Sequence, residues 1–494
     1  MNRLLVIKIM GALMLIEAAF LVLPLIVALL CGEGDWIWFL VTIIPCAAAG
    51  ALLYFLIRPS NNRVHASEGF FVVALAWVLL SAIAAVPLFI SGSIPDFLNA
   101  MFETVSGFTT SGCTAIDDVE ALSNSMLFWR SLTHWIGGMG ILVFMLAISP
   151  IAGAGSAIHI LRAESPGPVT EKISPKISTT AKYLYVIYLG LTLLEMISLT
   201  ISGMSVLHSS MISFGTMATG GFSYLNTSAA AFTSAQQTII TVFMVLAGVN
   251  FSLFFLIITG KGLAVFRNEE LRWYLVFYFA LVAVISVNLI MNNTMGSARE
   301  TIHKVFFMVA SLLTTTGFSV CSVDGWPAFS RNLIMLFMFM GACAGSTAGG
   351  IKISRVIIEG KSIKNGLRRL IHPRKVSIVR FNGKDVGVDV VRGVAFYFGL
   401  FAVLFAASMA IVSIDPLCDF TTAFSAVNTT INNNGIGFGA AGGSFSVFKW
   451  YSKVVFILDM LIGRLEIFPV MVFIGTLLSP VAKAGRGIKK LTQK

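Results

Sequence analysis

Charge is scarce in this chain. Asp, Glu, Lys and Arg make up 12% of its 494 residues, and apolar residues make up 57%. Soluble domains carry about 25% charge, so the composition excludes a soluble enzyme and leaves a polytopic membrane protein with little room for a soluble domain. Acidic residues are the rarer sign, 23 against 34 basic, for a net charge of +11. Cysteine is sparse as well. Cys31, Cys46, Cys113, Cys321, Cys343 and Cys418 stand singly, without metal-ligand spacing. No nucleophile–base set, metal cluster or phosphate loop is present, and His159 and His372 are lone loop residues, which argues against an enzyme. The single Gly-x-G-x-x-Gly pattern, Gly437 through Gly439 to Gly442, follows a polar run rather than a strand and is read as a chance match. The first apolar stretch, Leu4 to Leu30, is too long for a signal sequence and has no convincing cleavage site, so it reads as a retained helix.

The placement of the positive charge argues against nucleic acid as a partner. Arg58 and Arg63 fall in one loop, and Arg162, Lys172, Lys176 and Lys182 in the next. Lys261, Arg267 and Arg272 follow. Lys352, Arg355, Lys361, Lys364, Arg368, Arg369, Arg374, Lys375, Arg380 and Lys384 fill the richest loop, and Lys483, Arg486, Lys489 and Lys490 lie in the tail. The positive-inside rule makes these loops cytoplasmic, and Arg3 and Lys8 put the N-terminus there too.

A spanning helix needs about 20 apolar residues. That length predicts ten spans, near 4–30, 36–57, 69–93, 126–150, 180–203, 234–260, 271–292, 329–357, 390–413 and 450–480. After the first two, one order occurs four times: span, short semi-apolar segment, polar Gly run, span. The short segments are Pro95–Phe108, Ser205–Met217, Arg299–Leu313 and Pro416–Ile431. None can cross a bilayer core of about 30 Å, but each suits a half-helix that enters from outside and stops midway.

The Gly runs read Thr109-Thr110-Ser111-Gly112-Cys113-Thr114, Ala218-Thr219-Gly220-Gly221-Phe222-Ser223, Thr314-Thr315-Thr316-Gly317-Phe318-Ser319 and Asn432-Asn433-Asn434-Gly435-Ile436-Gly437. Aligned on Gly112, Gly221, Gly317 and Gly435, they predict four-fold pseudosymmetry about one axis. Small polar residues with a Gly let a loop turn its carbonyls toward a dehydrated cation. The helix ends that precede them carry partial negative charge. No run holds Asp or Glu, which favours a monovalent ion over a divalent one.

With these four motifs in this order, the chain resembles the Trk/Ktr/HKT superfamily of potassium transporters along essentially its whole length. The extra N-terminal helix pair makes it similar to the bacterial TrkH/TrkG branch. The resemblance implies an all-α polytopic membrane protein, with ten transmembrane helices and four re-entrant pore helices with filter loops. Its expected divisions are a helix pair over 1–65, repeat 1 over 66–165, repeat 2 over 166–262, repeat 3 over 263–385, and repeat 4 with the tail over 386–494. It implies a potassium-translocating subunit of the bacterial inner membrane, both termini cytoplasmic, working as a homodimer in the lipid bilayer. A cytoplasmic ring of TrkA-type regulatory subunits that bind nucleotides is the expected partner. By the same alignment, K+ would be held by carbonyls of Thr110 and Ser111, Thr219 and Gly220, Thr315 and Thr316, and Asn433 and Asn434, ahead of the four glycines. Within the family, Gly at the position of Gly112 goes with potassium selectivity and Ser with sodium transport.

Two segments are candidate gates. Gly341, Gly345, Gly349 and Gly350 crowd the eighth span, where each Gly weakens a helix by roughly 1 kcal/mol. Their spacing also suits close helix packing, while the family reading is an intramembrane loop plugging the pore. Arg464 lies inside the last span, where charge marks a pathway or a pair. The family reading is an electrostatic barrier beneath the filter; the alternative is an ion pair, with Glu195 as a possible partner. Glu466 is two positions away and points elsewhere on a straight helix. Lys453 could snorkel to the outer interface, and Asp459 has two possible charged partners. His134, mid-span, reads as a packing residue rather than a proton relay.

Other features keep two readings. Asp117, Asp118, Glu120, Asp324, Asp415 and Asp419 lie by the outer loops, either concentrating cations or serving as solvated and capping residues. Cys113 and Cys321 are free thiols or, conceivably, a disulfide. The loop from Gly360 to Arg392 is a docking surface for the regulatory ring or a lipid-binding basic face. Passage is channel-like, or a K+ symport coupled to H+ or Na+; Glu195 and Asp459 are the main intramembrane carboxylates able to carry coupling.

Overall fold

The computed structural model describes residues 3–59, 66–138, 140, 177–374 and 378–465. Among them are 17 α-helices and one small hairpin, Arg380–Phe381 with Lys384–Asp385. Six helices are long and apolar enough to cross a bilayer: Leu4–Leu30, Trp36–Leu56, Phe71–Ile90, Lys182–Ile201, Glu269–Met291 and Val388–Val412. The bent pair Ser234–Ala247 and Phe251–Ile258, turned by 94°, is a seventh if counted as one span. The protein is thus a helical polytopic membrane protein. Their outward faces carry exposed Leu, Ile, Val and Phe, such as Leu52, Phe55, Val186 and Val403, as a lipid solvent permits.

The expected spans meet the helices with informative exceptions. The sixth is broken at Gly248-Val249-Asn250. The eighth is not one helix: Ala328–Phe337 and Ile353–Ile371 are separated by an irregular stretch that contains the whole Gly341–Gly350 segment. The fourth begins at Asn124 and the tenth runs over Trp450–Leu465; the remainder of each expectation, with Glu466, His159, Arg63, Arg162, Lys172, Lys176, Lys375 and the basic tail, lies outside the described residues.

The first two helices pack through small residues. A Cβ on Gly11 would stand 2.9 Å from the Gly50 carbonyl oxygen, and one on Gly50 would stand 3.0 Å from that of Gly11. Close backbone approach of this kind is what joins helices in lipid, where the hydrophobic effect gives no drive.

The four short segments form helices Phe97–Thr109, Val206–Met217, Ala298–Leu313 and Phe420–Asn432. Each begins on a side-chain cap: Asp96 accepts from the Leu98 amide, Ser205 from His208, Ser297 from Glu300 and Asp419 from Thr422. Caps of these types satisfy the free amides of a first turn.

Candidate functional site

Each short helix stops in the same way. Thr110, Thr219, Thr315 and Asn433 take left-handed backbone, with φ of 57°, 56°, 55° and 51°. The next amide reaches back five residues: Ser111 to Ser106 and Asn434 to Thr429 at 2.9 Å, Gly220 to Gly215 at 2.8 Å, and Thr316 to Ser311 at 2.9 Å. This is the helix-ending bond pattern that usually has Gly at its left-handed position. Here three of the four are β-branched Thr, at roughly 1–2 kcal/mol each. Two residues further on, Gly112, Gly221, Gly317 and Gly435 are left-handed again, with φ of 79°, 80°, 88° and 75°.

The four runs meet as a closed ring. A Cβ on Gly112 would collide with the carbonyl of Gly220, and one on Gly221 with that of Thr316. One on Gly317 would stand 2.8 Å from the Asn434 carbonyl, and one on Gly435 2.9 Å from that of Ser111. Each Gly therefore abuts the residue preceding the Gly of the next run, in chain order, and the fourth returns to the first. Ser111, Thr219, Thr315, Thr316, Asn433 and Asn434 are all fully buried.

The loops that follow the runs are joined to one another as well. Asn226 binds Asp118 (2.7 Å) and Glu120 (2.9 Å), joining the first and second loops. The Ala229 amide donates to the Ser319 carbonyl at 2.9 Å, joining the second and third. The Phe445 amide donates to Thr114 at 2.7 Å, and the Ser446 hydroxyl to Asp117, joining the fourth and first. The hydroxyls of Ser446 and Ser444 hold the Asp117 carboxyl below its ordinary range. Asp415 is buried, accepting from the Lys449 amide (2.8 Å) and the Ser452 hydroxyl (3.1 Å). Asp419 is a cap, its carboxyl held low by the Thr422 hydroxyl and amide. Asp117, Asp118, Glu120 and Asp415 thus tie loops together, while Asp419 serves its own helix. All six cysteines are free thiols, Cys113 and Cys321 included.

The Gly341–Gly350 segment lies against the ring. The Gly349 amide donates to Thr315 Oγ1 at 2.7 Å, and Thr347 Oγ1 to the Met217 carbonyl at 3.0 Å. A Cβ on Gly349 would stand 3.1 Å from that of Asn433. On its other flank the segment fills the break in the bent helix pair: the Cys343 amide donates to Gly248 (3.1 Å), and the Gly345 carbonyl accepts from Phe251 (3.0 Å). Gly341 and Gly350 face each other where the segment's two limbs approach, and Gly345 and Gly350 have φ of 74° and 66°.

Arg464 touches three parts of the chain. Its guanidinium donates to the Gly137 carbonyl (2.7 Å), to the Thr347 carbonyl in the Gly-rich segment (2.8 Å) and to Thr110 Oγ1 (3.2 Å). With its amide oriented to suit its neighbours, Asn433 accepts from the Arg464 backbone N–H at 3.1 Å. Three of the four left-handed residues thus present a side-chain oxygen to the Gly-rich segment or the last helix, a contact that Gly could not make. No ion pair joins Arg464 to Glu195 among the described residues. Glu195 is buried, its carboxylate without a hydrogen-bond partner among them; the Thr216 hydroxyl beside it is bonded to Ile212. Asp459 accepts from Ser408 at 2.7 Å, and Lys453 donates to Asn99 (2.7 Å) and the Ser446 carbonyl (2.8 Å). His134 stacks on Phe222 with ring centroids 3.9 Å apart and fills the space that a Cβ on Gly220 would need.

One buried pair escaped the sequence reading. Glu103, in the first short helix, pairs with Arg130 and also accepts from Thr114 Oγ1 (3.1 Å) and the Ala115 amide (2.8 Å). Arg130 reaches the Ser223 carbonyl (2.9 Å) and lies over the Phe222 ring, so it fastens the first run to the second. The signal was there, since ionisable residues within apolar segments are functional by default. Breaking a buried pair by removing one partner costs about 3–5 kcal/mol. Arg130→Met is therefore expected to lower the thermal unfolding midpoint of the detergent-solubilised protein, and by more than Glu103→Gln, which keeps an acceptor. Equal, negligible shifts would refute this account of the pair.

A family model described as TrkH, cation transport protein, matches residues 38–480. The chain is 35% identical over 470 residues to the Trk system potassium uptake protein TrkH of Escherichia coli K12, covering 94% of this chain and 97% of that one. It is 32% identical over 453 residues to the Trk system potassium uptake protein TrkG of the same organism, with 91% and 93% covered. The crystal structure of the potassium transporter TrkH from Vibrio parahaemolyticus matches with a TM-score of 0.86 at 31% identity, covering 96% of this chain and 98% of that one.

Proposed function

Because the chain belongs to the TrkH family of cation transport proteins, a transporter rather than an enzyme family, we propose that it takes up potassium through the ring of Gly runs. The observation that carries this reading is the closure of the four runs in chain order, each Gly against the carbonyl-bearing residue of the next. The ion is held by carbonyls of Thr110, Ser111, Thr219, Gly220, Thr315, Thr316, Asn433 and Asn434. No carboxylate stands in the ring, so a monovalent cation binds weakly enough to leave. The C-terminal ends of four short helices add partial negative charge around it.

The Gly341–Gly350 segment and Arg464 form the gate, a reading supported by their hydrogen bonds to Thr315 and Thr110. Arg464 adds a positive charge on the path. The architecture is ten spans and four pore helices, with the N-terminal pair over 1–65 and repeats over 66–165, 166–262, 263–385 and 386–494. The protein sits in the bacterial inner membrane as a homodimer with both termini cytoplasmic, and a nucleotide-binding ring of the TrkA type docks on the cytoplasmic loop between Gly360 and Arg392. Transport is channel-like, driven by about 2.3 kcal/mol per 100 mV for each inward charge.

The test is flux from proteoliposomes under an outward potassium gradient, with sodium and choline as comparison ions. Potassium flux well above sodium, unaffected by collapsing proton and sodium gradients, is the expected result. Flux that stops with a partner gradient would replace this reading by symport and turn attention to Glu195 and Asp459. Equal sodium and potassium flux would sink the carbonyl-ring assignment.

A further inference from the structure

Glu269 and Glu270 open helix Glu269–Met291 and hold different parts of the chain. Glu270 is 4% exposed, and its Oε1 accepts from both the Ala344 amide (2.7 Å) and the Ser354 amide (3.1 Å). Ala344 lies within the Gly-rich segment and Ser354 just past its exit. One carboxylate oxygen therefore gathers both limbs of the segment and ties them to the start of a long helix. Acidic residues in a first helical turn are favoured by the helix dipole, so the anchor is electrostatically consistent.

Glu269 turns toward the cytoplasmic hairpin. Its amide donates to Asn382 Oδ1 (2.7 Å), and its Oε2 accepts from the Asn382 amide (3.2 Å). Its other oxygen pairs with Lys361, which also donates to the Arg380 carbonyl at 2.8 Å. Asn382 and Gly383, with φ of 49° and 75°, make a two-residue turn between the paired strands, which sets the hairpin's twist. The hairpin is held by this docking while Arg380, Lys384 and Asp385 stay exposed, within reach of a cytoplasmic partner. Neighbouring residues in one helical turn cannot move independently. A displacement of the hairpin must be felt at Glu270.

We infer that Glu269 and Glu270 are positioning residues that form a joint, transmitting movement of the Arg380–Asp385 hairpin to the Gly341–Gly350 segment. The inference rests on the reading of that segment as the gate. The joint would let a soluble partner act on the pore without touching a spanning helix directly.

The test is amide hydrogen exchange of the full-length protein in lipid nanodiscs, paired with liposome potassium flux. Charged acceptors form the stronger hydrogen bonds, so Glu270→Gln is expected to speed exchange over 341–354 by about threefold or more and to raise basal flux. Asn382→Ala, far from the segment, is expected to speed exchange over the same residues. In the double variant the second change adds nothing further, because the path is already cut. Lys361→Ala, which leaves the hairpin turn intact, is expected to act as Asn382→Ala does. Unchanged exchange in Phe97–Thr109 marks intact folding. Wild-type exchange over 341–354 in both Asn382→Ala and Lys361→Ala, or effects that multiply in the double variant, would overturn the joint. The expected exchange pattern with unaltered flux in Glu270→Gln would leave the joint standing and remove the gate reading instead.

Discussion

Gly221→Ala is expected to reduce potassium flux at least tenfold, more than alanine at Gly317 or Gly435. A left-handed φ costs an L-residue roughly 1–2 kcal/mol, and about 1.4 kcal/mol corresponds to a factor of ten. That strain is common to all four positions; the neighbour met by the new Cβ differs. At Gly221 it is the Thr316 carbonyl, backbone that cannot rotate aside, and at Gly112 it is the Gly220 carbonyl. At Gly317 and Gly435 the nearest backbone atoms stand at 2.8 and 2.9 Å, so backbone must still shift there, but by less than at Gly221 or Gly112. The carbonyls met at all four positions belong to the proposed ligand set, so the severity of the clash sets the order. The expected order of damage is Gly221 and Gly112, then Gly317, then Gly435. Gly435→Ser is expected to keep part of the potassium flux while admitting sodium. Rubidium tracer uptake with sodium competition in proteoliposomes measures all five variants. Wild-type uptake by Gly221→Ala, or greatest damage at Gly435, would contradict the ring geometry.

The second large effect is expected at Arg464. Hydrogen bonds from a charged donor contribute about 1.5–3 kcal/mol each. Arg464 makes three, to acceptors from the first repeat, the first Gly run and the Gly-rich segment. Arg464→Ala removes both the clamp and a positive charge from the proposed path, so basal potassium flux should rise by about tenfold or more. Arg464→Lys separates the two contributions. A lysine keeps the charge but is a point donor on a flexible stem and cannot span three acceptors in a fixed fork. An intermediate flux for Arg464→Lys is expected. Single-channel or tracer flux at matched protein content reads the difference, and an unchanged rate in Arg464→Ala would end the barrier account.

Much of the site was legible in the residues. Thr-Thr-Ser-Gly, Thr-Gly-Gly, Thr-Thr-Thr-Gly and Asn-Asn-Asn-Gly each hold a Gly where φ exceeds 70°, a conformation that L-residues avoid and glycine adopts freely. The short segments Pro95–Phe108, Ser205–Met217, Arg299–Leu313 and Pro416–Ile431 lie close to the helices observed before them. The left-handed Thr110, Thr219 and Thr315 were not legible, since β-branched residues avoid that region; the oxygens of Thr110 and Thr315 matter only once Arg464 and the Gly-rich segment are beside them. Nor was the tie of Asp415 to Lys449 and Ser452, which depends on two loops brought together by folding. The Glu103–Arg130 pair is 27 residues apart in sequence, beyond any local helical spacing.

The sequence by itself determined the membrane setting, the four short helices each followed by a Gly run, and the four glycines at which the chain turns left-handed. It could do so because apolar length, capping residues and glycine act locally, through solvation and backbone sterics. Only the tertiary structure decided that the eighth span breaks at the Gly-rich segment, what Arg464 holds, and how each run abuts the next. Four glycines are compatible with close helix packing as well as with a loop. The choice between them lay with distant acceptors and donors, Gly248, Glu270, Thr315 and Arg464. Those partners satisfy backbone groups that a broken helix leaves open.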